Sequence, residues 1–213
     1  LKEKLFLKET DLGKWWVDHL RSQGYETWHE VHTRVSDIDV VAKKDGHIYT
    51  YQLKLTYSDA VLMQALTVKQ SYDGYHSVVY AGRVTSEVKN FFAEMKGIGV
   101  YSVSDRHFVT AKQHVKPMYT TGRKDLTKHL FDDQKESEAG SVAGGSITPF
   151  KRSCAYLAEV VKDMPDASIH TKKLYEEHKD KLHWRSKESF RSCLIKLEGL
   201  KEIDLIRRVV INI

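Results

Sequence analysis

Disulfide-forming and helix-breaking residues are scarce in this chain: 213 residues contain two cysteines and three prolines. Cys154 and Cys193 lie far apart, each within an apolar helical pattern. That spacing excludes a disulfide scaffold or a cysteine-rich metal knuckle, and reads as two buried, reduced thiols. No apolar run approaches the ~18 residues of a transmembrane span, and the N-terminal stretch has no signal-peptide hydrophobic region. The expectation is an intracellular, cytoplasmic protein with no membrane partner. Internal repeats are absent, and neither sign of charge dominates: 34 Lys and Arg face 29 Asp and Glu, for a net +5 and a pI near 9.0. The excess is uneven, because residues 149–213 carry 14 Lys and Arg against 10 Asp and Glu. Such a balance favours an anionic partner without naming it.

What is present is enough apolar and aromatic material, 41% and 10%, for real cores. Residues 10–23 read as an amphipathic helix, with Leu12, Trp15, Trp16, His19 and Leu20 at helical spacing, Thr10 or Asp11 as its cap and Gly24 at its end. Residues 25–33 read as a strand. The stretches 37–43 and 47–55 form a hairpin, with Asp45-Gly46 as the turn signal. A second helix is expected over 58–72, a buried strand over 76–81 and a third helix over 85–95. Short strands follow near 99–103 and 107–110. The order α-β-β-β-α-β, then α-β, describes a mixed α/β domain. Residues 125–131 suggest a short helix. The Gly- and Ser-rich stretch 132–148 reads as a flexible linker, dividing a first domain (1–131) from a second (149–213). In the second, helices are expected over 149–164, 168–182 and 186–200. An alternating segment, 201–213, then reads as a β hairpin. Three helices and a hairpin are the layout of a winged helix.

The hairpin of the first domain carries the chemistry. Residues two apart on a strand share a face, so Asp37 and Asp39 share one, as do Gln52 and Lys54. Polar groups flanked by Ile38, Val40 and Leu53 call for a purpose, and holding a divalent metal against a phosphate is one. Asp39 is the first candidate ligand, the Gln52 amide oxygen and the Leu53 backbone carbonyl the next, and Asp37 a further one. Lys54 stands beside them, suited to orient a water or to stabilise charge on a phosphate. Glu30, on the preceding strand, is a fourth catalytic candidate, an acid on the same face as Trp28 and His32. His29 and His32 fall on opposite strand faces and read as structural or surface residues.

Asp39-Val40-Val41-Ala42, a hairpin, then Gln52-Leu53-Lys54 resembles the PD-(D/E)xK nuclease signature, in particular its archaeal-resolvase-like and Mrr-like members. The resemblance covers residues 5–110 and includes Gly24-Tyr25 leading into a strand with Glu30. It implies a restriction-endonuclease-like core and a Mg²⁺- or Mn²⁺-dependent DNA endonuclease. Asp39 then matches the metal-binding acid and Lys54 the catalytic lysine, while Glu30 matches the family's first acidic position, with Glu9, at the first helix, as the alternative. Gln52 stands where the family usually has Asp or Glu, which removes one negative charge from the metal site; Gln-x-Lys does occur in some active relatives. The resemblance also implies substrate-facing polar residues on the second helix, here Gln64, Lys69 and Gln70. In the second domain Lys187, Arg191 and Lys196 on one helix, with Arg185, Arg207 and Arg208, supply candidate DNA contacts. The partner implied is DNA, with a homodimer or a larger nucleoprotein assembly as the working form. Two rival readings stay open: a nuclease-fold DNA-binding protein that has lost turnover, and a subunit of a transposase or restriction assembly.

Overall fold

The computed structural model describes residues 6–82, 85–105, 109–135, 148–184, 186–196 and 200–211. The chain divides into two compact units, Leu1–Ser146 and Ile147–Ile213.

The first unit is α/β. Helix α1 (Glu9–Ser22) is followed by β1 (Glu26–His32), β2 (Asp37–Lys44), β3 (His47–Lys54), α2 (Asp59–Ser71), β4 (Tyr75–Ala81), α3 (Glu87–Met95), β5 (Gly99–Asp105) and β6 (Val109–Val115). The six strands form one mixed sheet in chain order. Pairing is antiparallel for β1–β2, β2–β3 and β5–β6, and parallel for β3–β4 and β4–β5. Asp45 and Gly46 both have positive φ, 50° and 79°, the geometry of a type I′ turn, whose twist matches that of the two strands it joins. The turn is two residues long, so Lys43 and Lys44 still belong to β2, and Lys44 pairs with His47.

Each face of the sheet has its own core. On one face, Leu12, Trp16, Val17 and Leu20 of α1 pack on Val40, Ala42, Tyr51 and Leu53. On the other, Val61, Leu62 and Ala65 of α2 and Ala93 of α3 pack on Val78 and Val100. Both crossover helices lie on this second face because parallel connections of one handedness, advancing in one direction along the sheet, must do so. Helix α2 begins where the Ser58 hydroxyl accepts from the Val61 amide, and α3 where Ser86 accepts from Lys89; such caps satisfy amides with no partner inside the helix.

Residues 132–135, which the composition assigned to the linker, form a 3₁₀ turn against the first unit. Gln134 is buried there, Arg21 donates to the Lys135 carbonyl at 2.8 Å, and the Lys135 ammonium meets Glu26 at 2.6 Å. The rest of the expected linker, through residue 147, lies outside the described residues.

The second unit differs from expectation at its C-terminal end. Helices α4 (Pro149–Val161), α5 (Thr171–His178) and α6 (Lys187–Lys196) fall where helices were expected. The segment read as a hairpin is instead a fourth helix, α7 (Lys201–Val209). The two-residue strands β7 (Ile169–His170) and β8 (Val210–Ile211) pair in parallel. The cause is visible in the burial pattern: Ile203, Ile206 and Val209 are buried at helical spacing, and they pack with Leu157, Phe190 and Leu194. A helix there buries three branched side chains in one stripe, whereas an alternating strand would send Ile203 and Ile206 to opposite faces. No β hairpin, and so no wing, occurs among the described residues of this unit. Cys154 is buried and Cys193 half-buried, both as free thiols. Among the described residues no helix is long and apolar enough to cross a membrane.

Candidate active site

Strands β2 and β3 part company before they end. Their ladder runs from Lys44↔His47 to Val40↔Tyr51 and stops. Beyond that point β2 stays with β1 as far as Asp37, and β3 stays with β4 as far as Lys54. The sheet therefore forks between Asp37–Asp39 on one side and Gln52–Lys54 on the other. Backbone groups at a fork lose their ladder partners and need others, and side chains supply them. The Asp39 carboxylate accepts from the Leu53 amide at 2.6 Å. The Gln52 amide donates to the Asp37 carbonyl at 2.9 Å. These two hydrogen bonds close the fork and hold Asp37 and Asp39 against Gln52 and Leu53, and Lys54, the next residue, is near enough for its charge to act on Asp39.

The fork coincides with a backbone irregularity. Glu30 has φ 49°, a left-handed conformation that costs a side-chain-bearing residue roughly 1–2 kcal/mol. It falls between the pairs His29↔Val40 and Val31↔Ile38, opposite Asp39. Strict alternation fails on both strands here, since Val31 joins Trp28, and Ile38 joins Val41, in a single core cluster. The shift lets Ile38 be fully buried without carrying Asp39 into the core. Glu30 itself is buried, and its charge acts on Lys54.

Lys54 has a closer partner in Glu9, at the first turn of α1, with Nζ 2.6 Å from Oε2. Burial draws the Lys54 pKa down, but the Glu9 hydrogen bond and the charges of Asp39, Glu9 and Glu30 outweigh it, so the ammonium is held above its ordinary range. Asp39 behaves in the opposite way. Burial pushes its carboxyl up to about 6 against the lowering effects of the Leu53 amide and of Lys54, with Glu9 and Asp37 adding repulsion. Asp37 is exposed and meets His32 Nδ1 at 2.8 Å. Glu9, the alternative acid of the sequence reading, therefore stands in the site together with Glu30. Its signal in the sequence is an acid in the first turn of an amphipathic helix, a position that also serves the helix dipole.

Other sequence candidates lie elsewhere. Helix α2 starts five residues after Lys54 and closes at Ser71, four residues before Tyr75, which pairs with Tyr49 near the far end of β3. Lys69 and Gln70 thus occupy the end of the helix remote from the fork. Lys69 is committed there to the Met118 carbonyl and the Thr120 hydroxyl, while Gln64 is exposed at mid-helix. In the second unit Arg207 donates to the Leu194 carbonyl and pairs with Asp204 at 3.1 Å. Arg208 pairs with Asp166 at 3.0 Å. These two arginines stitch α7 to its neighbours. Lys187 and Lys196 are exposed on α6, as is Arg191, and Lys187 lies 3.7 Å from Glu188. Arg185 lies outside the described residues.

Among the described residues, no group of three or more His, Cys, Asp and Glu side chains is placed to hold a metal ion. The fork offers oxygen donors of another mix: the Asp39 carboxylate, the Gln52 amide oxygen and the Leu53 carbonyl, with the Asp37 carboxylate at its mouth. One carboxylate with neutral oxygens suits a hard cation that keeps several waters and takes phosphate oxygens, as Mg²⁺ does, rather than zinc, which selects nitrogen and sulfur.

No protein-family model matches the chain, and no curated protein matches it. The crystal structure of a protein of unknown function, AF1548, is similar in part, at 21% identity and a TM-score of 0.38. The match covers 45% of this chain and 58% of that one.

Proposed function

We propose that the chain is a Mg²⁺- or Mn²⁺-dependent DNA endonuclease with a PD-(D/E)xK-type site in its first unit. The observation that carries this reading is the β2–β3 fork, where an acid with a raised pKa, an amide and a charged lysine converge. In this reading the αβββαβ portion of the first unit is a restriction-endonuclease-like core. Asp39, the Gln52 amide oxygen and the Leu53 carbonyl hold the cation, with Asp37 at the entrance. When bound, the cation supplies Lewis-acid stabilisation of charge on the phosphate. The protein residues do the remainder. Glu9 and Glu30 keep Lys54 protonated, and its ammonium orients the attacking water and faces the developing charge. A water oxygen bonds to phosphorus as one phosphodiester P–O bond breaks; the water's proton passes to solvent, and the departing sugar oxygen takes one from solvent. Helix α6 of the second unit, with Lys187, Arg191 and Lys196, adds affinity for the DNA backbone, which should weaken as salt rises.

The test is a cleavage screen over duplex, nicked, branched and single-stranded DNA with Mg²⁺ or Mn²⁺, with Lys54→Ala as the blank. Metal-dependent cutting by the wild type and none by the variant supports the reading; no cutting of any form counts against it. One observation favours a second reading, a DNA-binding protein without turnover: Gln52 is neutral, and its amide is already bonded to the Asp37 backbone. Calorimetry with Mn²⁺ separates the two, because this second reading expects no metal binding, with or without DNA.

A further inference from the structure

A basic segment of the first unit takes no part in the fork. Gly122-Arg123-Lys124-Asp125-Leu126-Thr127-Lys128-His129 holds Arg123, Lys124 and Lys128 against a single acid. Its backbone is anchored beside the end of α2. The Lys124 amide donates to the Ser71 carbonyl and the Lys124 carbonyl accepts from the Asp73 amide, each at 3.1 Å. The Arg123 amide donates to the Asp73 carboxylate at 2.6 Å. A 3₁₀ turn, Leu126–His129, follows. Leu126 is buried with Trp28 and Val31 of β1 and Ile38 and Val41 of β2. The His129 ring stands edge-on to Tyr72, with centroids 5.6 Å apart. Lys124 and Lys128 are left exposed.

Arg34 joins them from the turn between β1 and β2, where the Thr33 hydroxyl accepts from the Val35 and Ser36 amides at 3.3 and 3.2 Å. Arg34 is exposed and stands three residues before Asp37, at the mouth of the fork. Burial lowers the His129 pKa, and the charges of Arg34 and Lys124 add to the effect against that of Asp125, so both cations stand near this ring. Lys54, Lys89 and Lys135 of the same unit each meet a carboxylate. Arg34, Lys124 and Lys128 form no ion pair among the described residues. Asp125 is spent on Thr127, accepting from its amide at 2.8 Å and its hydroxyl at 2.7 Å. Unpaired cations on an anchored backbone, in a row that ends at the fork, complement a phosphate backbone. Residues 122–128 include no aromatic side chain, and Tyr72 is buried. The row therefore lacks the stacking surface that unpaired bases need, which favours a duplex over a single strand.

We propose that Arg34, Lys124 and Lys128 form a phosphate track that holds the arm of a DNA duplex leading to the fork, without reading its sequence. The inference rests on the nuclease reading for its ligand, and adds the form of the DNA and the surface that holds it. Each phosphate contact contributes about 0.9 to the fall of log affinity with log salt, so the three together contribute about 2.7.

The experiment is fluorescence anisotropy of the full chain with labelled duplexes of two unrelated sequences and with labelled oligothymidine, in EDTA, over about 50–200 mM salt. EDTA removes cutting, so binding is read apart from catalysis. Arg34→Gln, Lys124→Gln and Lys128→Gln should each weaken duplex binding severalfold, equally for both sequences, and lower the salt slope by about 0.9. Lys112→Gln makes the same charge change on β6, at the opposite edge of the sheet from β1, and should leave the slope as it is. All four side chains are exposed, and circular dichroism checks that each variant is folded. A wild type without duplex affinity, slopes unmoved by the three changes, or an equal fall for Lys112→Gln overturns the track. A loss on oligothymidine alone overturns the duplex assignment. Unmoved slopes in a protein that cuts DNA remove the track and leave the nuclease reading standing; lowered slopes in a protein that cuts nothing keep the track and count against the enzyme.

Discussion

Replacing Asp39 by Asn should stabilise the protein, and should do so only where the acid would be charged. Burial raises the Asp39 pKa from 3.8 to about 6 in the folded chain. A raised carboxyl pKa means that the fold favours the protonated form. That contribution is fully present below pH 3.8 and is lost as pH rises through 6, so above pH 6 the wild type bears the whole cost of a desolvated carboxylate. About two pKa units at 1.36 kcal/mol each give a ceiling of about 3 kcal/mol. Asp39 keeps some contact with solvent, and about 1–2 kcal/mol is the expected gain. Asn retains an oxygen able to accept from the Leu53 amide, so the fork stays closed. Urea unfolding of both proteins from pH 4 to pH 8 should show the variant's advantage near zero at the acid end, growing through pH 5–6 and level above it. Carboxyl NMR should place the Asp39 titration near pH 6. A difference that does not change with pH, or an Asp39 titrating near its ordinary 3.8, would refute the electrostatic account of the site.

Glu9→Gln removes the partner that offsets the burial of Lys54. Nitrogen NMR of the lysine ammonium should then show its pKa falling from above the ordinary 10.5 toward or below it; an unchanged value would mean that Glu9 does not hold the charge. His76 lies fully buried between the Thr50 hydroxyl, 2.9 Å from Nδ1, and the Tyr72 carbonyl, 3.1 Å from Nε2. Its pKa is depressed from 6.5 to about 4, chiefly by burial. A depressed pKa gives stability that is present above pH 6.5 and lost as pH falls toward 4, with a ceiling of about 3 kcal/mol. His76→Asn should therefore be less stable than the wild type at pH 7, and the gap should narrow at pH 4; a gap equally wide at both values would show that the ring does not titrate as its burial requires.

Much of the first unit can be read from residues with strong local preferences. Asp45-Gly46 accepts two positive φ values at little cost, so the hairpin and the register of β2 against β3 follow from two letters. Ser58 and Ser86 mark their helices because each hydroxyl has an amide to cap. The fork is not local. Nothing in Asp37–Asp39 or Gln52–Lys54 says that their ladder stops at Val40↔Tyr51, because that depends on β1 and β4 drawing the two strands apart. The left-handed backbone of Glu30 is hidden for a related reason: it has no sequence signature and persists through its surroundings. Lys69 carries the right charge on the expected helix, but thirteen residues of α-helix separate the two ends of α2 by about 20 Å, and it sits at the wrong one. Residues 201–209 belong to an alternating segment that ends in apolar β-branched residues, and both features favour strand. Their pull toward strand masked the Ile203, Ile206 and Val209 stripe, and burial against α4 and α6 decided the matter.

The rate of metal-dependent DNA cleavage by wild-type protein and by Lys54→Ala, measured side by side at saturating Mn²⁺, tests the central claim most directly. Loss of a group that orients the nucleophile and faces developing charge should slow cutting by on the order of 10²-fold or more, while circular dichroism shows the fold unchanged. Equal rates for the two proteins would contradict the assignment of the β2–β3 fork as the active site.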